Sequence, residues 1–339
     1  MIKDAQIILH PGGLKYNGQD SYDEVVYKIK VFITDLARIV KPKDREGFLF
    51  KDEVLFSESV CTIPVYCNKT LFDIAQDEFK GEEASLFYSF FDEQCYIKEA
   101  PWEEVIKKTC PDPNEEKCTA VVVLNNRPQV FHDEKEKRAK ENEKNLNYIT
   151  FDKYEIVYDR CSWLFFRRQV LGNNPGTESE FVQQCRLLFD KLHFSDNCEY
   201  SVSGFLKKIP RKLVYYLSCM NDQLKDQYCC AIEKEQGKFN VNSFLSDFSG
   251  KYGFDESGSM ERDTENKKDY TFVFSTSDES SLTQEICCDA HMKIQHFDSN
   301  CKLQEAVRGE KCHGRIYFNF GDPGDLTDRI KIGSIGIHV

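Results

Sequence analysis

The residues of this chain best suited to chemistry gather at one end. Four of its seven histidines, His291, His296, His313 and His338, fall between Glu285 and Val339. They lie on or beside three short runs, 290–294, 315–320 and 330–339, that alternate or nearly alternate apolar with polar side chains. That alternation is the period of a half-buried strand. On such a strand His291 and Lys293, two apart, share a face. Arg315, Tyr317 and Asn319 share a face of the next run, with Ile316, Phe318 and Phe320 turned to the core. If the three runs are neighbours in one sheet, His291, Lys293, Arg315, Tyr317 and His338 form a single polar surface.

Such a set can work on a phosphodiester without a metal. A histidine or lysine takes the proton of a ribose 2′-hydroxyl, Arg315 holds the phosphate by two hydrogen bonds, and the second histidine protonates the leaving oxygen. An unperturbed imidazole, with a pKa of about 6.5, has both protonation forms accessible. The same side chains also suit the water-facing side of an amphipathic sheet. Zinc is the competing chemistry, since Cys287, Cys288, His291, His296, Cys301, Cys312 and His313 are all ligand types. Only Cys287 and His291 approach the spacing of a ligand pair, so no metal and no small-molecule cofactor is assigned. The chain has no P-loop, no GxGxxG after a strand, no GxSxG elbow and no HExxH. Glu115-Glu116-Lys117 has the letters of a nuclease motif but follows the turn Pro111-Asp112-Pro113-Asn114.

Composition narrows the class further. The net charge is −12, which argues against a broad basic face for nucleic acid. From Glu285 onward seven Lys and Arg stand against eight Asp and Glu, so any RNA affinity must come from placement. Fifteen cysteines without a C-x-x-C pair, and an opening that reads as no signal peptide, predict free thiols in a reducing cytoplasm. No apolar run approaches the ~18 residues of a membrane span, and no membrane contact is expected.

The elements that must position the C-terminal set read as α+β: a mixed N-terminal domain, a helical middle and a small antiparallel C-terminal sheet. The boundaries predicted are 1–131, a charged linker at 132–147, 148–252 and 253–339. Ser21 with Glu24 and Thr177 with Glu180 look like capping boxes, and Thr70 with Asp73 caps a short helix. They predict helices over 22–40, from 70 to 79 and after 177. Helices are also predicted over 82–93, 101–109, 163–171 and 213–224, with a cap at Asn242 for another. Segments 48–56 and 60–66 read as a strand pair, 119–124 as a buried strand, and 253–269 as a mobile loop. The aromatic stripe of Phe87, Tyr88, Phe90 and Phe91 reads as core. Lys207, Lys208, Arg211 and Lys212 form a compact basic cluster, either a solvated helix entrance or a phosphate contact.

The order His291-x-Lys293, then Arg315-Ile316-Tyr317-Phe318, then Ile330 to His338 resembles the tail of a group of bacterial proteins associated with phage defence. The helix-then-sheet ending is also similar to RelE-type toxin ribonucleases. The resemblance spans about 50 of the 339 residues. It implies a cytoplasmic anti-phage or toxin-like effector that acts on RNA through the C-terminal sheet and works with a partner protein. The alternative is a non-catalytic adaptor whose aromatic surfaces bind that partner.

Overall fold

The computed structural model describes residues 5–9, 16, 20–40, 53–56, 58–92, 95–96, 118–122, 155–157, 160–206, 209–235, 238–261, 267–275, 283–295, 313–324 and 328–337. They divide into two compact units, one of the described residues up to Val170 and one of those from Leu171. The chain is α+β, with a helical middle and an antiparallel-rich C-terminal sheet. No helix among the described residues is long and apolar enough to cross a membrane.

In the first unit β1 (Ala5–Leu9) leads to α1 (Tyr22–Val40), β2 (Glu53–Phe56), α2 (Glu58–Thr62), β3 (Pro64–Tyr66) and β4 (Lys69–Thr70). Then follow α3 (Leu71–Glu78), α4 (Glu82–Asp92), β5 (Cys95–Tyr96), β6 (Cys118–Val122) and β7 (Glu155–Val157). Five strands form a parallel sheet in the order β5-β2-β1-β6-β7. The winding reverses between β1 and β6, the doubly wound pattern. Helix α1 begins where its capping box predicts: Glu24 N–H donates to Ser21 Oγ at 3.3 Å, and Ser21 N–H donates to the Glu24 carboxylate at 2.9 Å. Its apolar stripe, Val25, Ile29, Phe32 and Ile33, is buried together with Phe87, Phe90 and Phe91 of α4, while Tyr88 stays exposed. Each such side chain contributes roughly 1.5–3 kcal/mol.

The strand pair expected over 48–66 does not form. Strand β2 pairs with β1 and β5, residues 58–62 are helical, and Pro64–Tyr66 pairs instead with Lys69–Thr70. Cys67 and Asn68, both at positive φ (48° and 62°), make the tight turn that brings β4 back on β3. The helix expected at 101–109 and the linker at 132–147 lie outside the described residues.

From α5 (Arg160–Asn173) the chain runs through α6 (Glu178–Leu188), β8 (Leu192–Phe194), α7 (Cys198–Leu206), α8 (Pro210–Cys219), a π-helical turn at Met220–Leu224, α9 (Lys225–Glu235) and α10 (Val241–Lys251). The C-terminal strands are β9 (Glu256–Met260), β10 (Thr271–Ser275), β11 (Thr283–Cys287), β12 (Ala290–Gln295), β13 (His313–Asn319) and β14 (Ile330–Ile337). Thr177 and Glu180 form their capping box. Three local expectations are corrected. Helix α5 continues through Gly172, where an added Cβ would meet Arg211 Cα at 3.3 Å, so glycine serves close packing and not termination. The cap of α10 is Asn240, whose side chain accepts from Ser243 N–H at 3.0 Å. The stretch read as a mobile loop contains β9.

The main sheet has the order β8-β14-β13-β12-β9, antiparallel except for the β8–β14 pair. Strands β10 and β11 form their own antiparallel two-stranded sheet. One face of the main sheet, with Met292, Ile294, Ile316 and Phe318, is buried. On the other, Phe272 of β10 lies against Gly333, and Tyr270 and Phe274 pack with Tyr317 and Cys288. Tyr317 is therefore fully buried on the face where alternation had placed it beside Arg315.

Candidate functional site

Strands β12, β13 and β14 are neighbours, as the polar-surface reading requires. The register sets His291 opposite Tyr317 and Lys293 opposite Arg315. Because the strand period is two, all four side chains fall on one face. His338 lies outside the described residues, as do His296, Cys301 and Cys312. Four of the five expected site residues are thus brought together.

On its other side β12 pairs with β9, and the register sets His291 opposite Ser259. Nothing in the sequence Glu256-Ser257-Gly258-Ser259-Met260 looks like a strand. Its neighbours impose the extended form. Asn242 Oδ1 accepts from Met260 N–H at 2.8 Å, and Ser249 Oγ accepts from Gly258 N–H at 2.9 Å, so α10 pins the strand by two backbone donors. Gly258 lets it approach: an added Cβ would meet Met292 Sδ at 2.8 Å and the His291 carbonyl oxygen at 3.0 Å. Just past β9, Glu261 N–H donates to the Asp289 carbonyl at 2.8 Å, which fixes the Glu261 carboxylate beside β12.

His291 sits between these two additions. Its Nε2 is 3.0 Å from Ser259 Oγ, and its Nδ1 is 3.1 Å from Glu261 Oε1. The Nδ1 contact is close but not aligned as a hydrogen bond, so it acts through charge. Glu261 favours the tautomer with the proton on Nδ1, which leaves Nε2 to accept from the serine hydroxyl. Arg315 Nη1 donates to the same Glu261 oxygen and also to the Tyr317 hydroxyl at 3.0 Å. The Tyr317 hydroxyl lies 3.3 Å from Glu261 Oε1 as its donor. Burial, opposed by Arg315, pushes the Tyr317 phenol up to about 12, so it stays protonated and acts as a donor rather than a base. Lys293 Nζ stands 4.0 Å from Glu256, at the outer limit of an ion pair.

An open cleft of ≈ 520 Å³ has Asn242, Ser259, Glu261, His291, Lys293 and Arg315 in its lining. No family model, curated protein or solved structure matches this chain. A histidine with a hydroxyl on one nitrogen and a carboxylate by the other has the parts of a nucleophile, base and orienter. Two cations border the same space. Among the described residues no three His, Cys, Asp or Glu side chains group as a metal site would need. Lys212 of the basic cluster is bound to Asp255 at 2.8 Å and half-buried, which ties it to the fold. Lys207 and Lys208 lie outside the described residues.

Sequence reasoning missed Ser259 and Glu261. The one available signal was Gly258 inside a polar run, which marks close backbone approach when the run is a strand.

Proposed function

We propose that this chain is a cytoplasmic effector of the anti-phage or toxin-like kind that cleaves RNA by metal-free acid–base chemistry in the cleft of its C-terminal unit. The observation that carries the reading is His291 held between Ser259 and Glu261 on the wall of a cleft bordered by Lys293 and Arg315. His291 Nε2 is the proton acceptor and, once protonated, the donor to the leaving oxygen. Lys293 carries the nearest loosely paired positive charge for a phosphate. Arg315 is shared with Glu261, so its role is to hold that carboxylate and to add positive charge at the cleft, a weaker part than the two-bond clamp expected from sequence. The test is incubation of the purified protein with total RNA and with plasmid DNA, with and without EDTA, beside His291→Ala. EDTA-resistant RNA cleavage lost in the variant supports the reading, and EDTA-sensitive cleavage contradicts it.

One observation favours a second reading, a non-catalytic adaptor. Tyr27 and Val31 project from one side of α1 at 69% and 42% exposure. An adaptor keeps its partner complex in His291→Ala and loses it in Tyr27→Ala, as read by co-purification.

A further inference from the structure

The hydroxyl facing His291 belongs to the protein, although a 2′-hydroxyl mechanism needs only the substrate's own. Ser259 Oγ lies 3.0 Å from Nε2, opposite it across the β9–β12 pair, and borders the cleft. Its neighbour Ser257 is engaged elsewhere, with Oγ 3.1 Å from Ser246 Oγ. A serine hydroxyl at ordinary pKa is a poor nucleophile, and a base within hydrogen-bond reach activates it.

The surrounding donors indicate which electrophile fits. Acyl transfer wants backbone N–H groups free to hold a tetrahedral oxyanion. Here the amides of Gly258, Met260 and Glu261 are all taken, by Ser249, Asn242 and Asp289. The charges that remain at the cleft are the cations Lys293 and Arg315, together with Glu261, which balances Arg315. A loosely paired lysine, with a guanidinium beside it, suits the spread negative charge of a phosphoryl group in transfer.

We propose that Ser259 is the nucleophile of a covalent phosphodiester cleavage, so that the strand cut need not carry a 2′-hydroxyl. The inference rests on the RNA-cleaving reading of this cleft. In the first step Ser259 Oγ attacks phosphorus while its proton passes to His291 Nε2. The bond from phosphorus to the 5′-oxygen breaks, and that oxygen takes the proton from His291. The 5′ fragment remains bound through its 3′-phosphate as a serine phosphodiester. Water then attacks phosphorus and gives a proton to His291, and the serine oxygen leaves and recovers it. The products are a 3′-phosphate and a 5′-hydroxyl. Glu261 stabilises the imidazolium that forms in each step, and Lys293 is placed to neutralise the phosphoryl oxygens.

The experiment uses the full chain in EDTA with 5′-labelled RNA and single-stranded DNA of the same sequence. Reactions are quenched in acid and run on a denaturing protein gel. The proposal expects both strands to be cut, with rates within about tenfold of each other. It also expects label on the protein band in wild type and none with Ser259→Ala, at an unchanged melting temperature. RNA cut while DNA is left intact, with Ser259→Ala retaining RNA cleavage within about threefold, would overturn the covalent step and leave the RNA-cleaving reading standing. No cleavage of RNA by the wild type would overturn both.

Discussion

Two histidines of the C-terminal sheet, His193 on the edge strand β8 and His291 on β12 next to the edge strand β9, have opposite surroundings. On β12, His291 has a carboxylate by one nitrogen, a serine hydroxyl by the other, and an open cleft in front. At the β8 edge His193 stacks edge-on against Phe274 with ring centres 5.3 Å apart. Burial first, and then the charges of Lys331 and Arg329, push its pKa down. One ring has an anion by it to stabilise a bound proton, and the other has cations that discourage one. Both are histidines on strands of one sheet, and the neighbours brought from elsewhere in the chain set which ring's surroundings favour a bound proton.

Exchanging or removing those neighbours is how the contrast breaks. The largest effect is expected from His291→Ala, which removes the proton-transfer group and lowers cleavage by about 10²–10⁴-fold at unchanged circular dichroism. Retained activity there would erase the difference between the two rings. Glu261→Gln keeps the shape but removes the charge that His291 and Arg315 share. It should slow cleavage about 10- to 100-fold, the kinetic equivalent of losing a charged hydrogen bond. It should also lower stability by up to about 3 kcal/mol in urea titration, since Arg315 is left without its anion. Gly258→Ala should displace β9 and lower stability by about 1–3 kcal/mol, the usual range for overpacking, with Ser259 drawn away from His291.

Tyr317 gives a pH prediction. Its folded pKa of about 12 lies above the unfolded value near 10. Between these the folded protein binds the proton and the unfolded chain does not, so stability is full below pH 10 and falls as pH rises toward 12. Tyr317→Phe should lessen that fall in a denaturation-versus-pH series without abolishing it, since burial also raises the phenols of Tyr16 and Tyr215 and the thiol of Cys198. The smallest effect belongs to His193 on β8. His193→Gln should change cleavage less than about twofold and stability by no more than about 1 kcal/mol. A large loss of activity there would mean that this account assigns the proton chemistry to the wrong histidine.

Much of this unit could be read from local pattern because its signals are local. Thr177 and Glu180 are three residues apart, and their reciprocal bonds fix a helix start without reference to anything distant. His291, Lys293, Arg315 and Tyr317 could be grouped because strand alternation sets each pair and the two strands are near in sequence. Ser259 could not be grouped with them. Its strand has no apolar alternation, and its extended form depends on donors captured by Asn242 and Ser249 and on pairing with residues 32 positions away. Tyr317 was placed on the right face, but its burial was not legible. The β10–β11 hairpin that covers it arrives from a segment that gives no sign of which face it will occupy. The parallel order of the first unit was hidden for the same reason, since β1 finds its partners β2 and β6 far along the chain.

The most direct test of the central claim is the single-turnover rate of cleavage of a defined RNA oligonucleotide in EDTA, measured from pH 5 to 9 for wild type and His291→Ala. The account predicts a wild-type profile that bends with the titration of one imidazole, and a variant profile that is both far slower and without that bend. Superimposable profiles would place the chemistry somewhere other than His291.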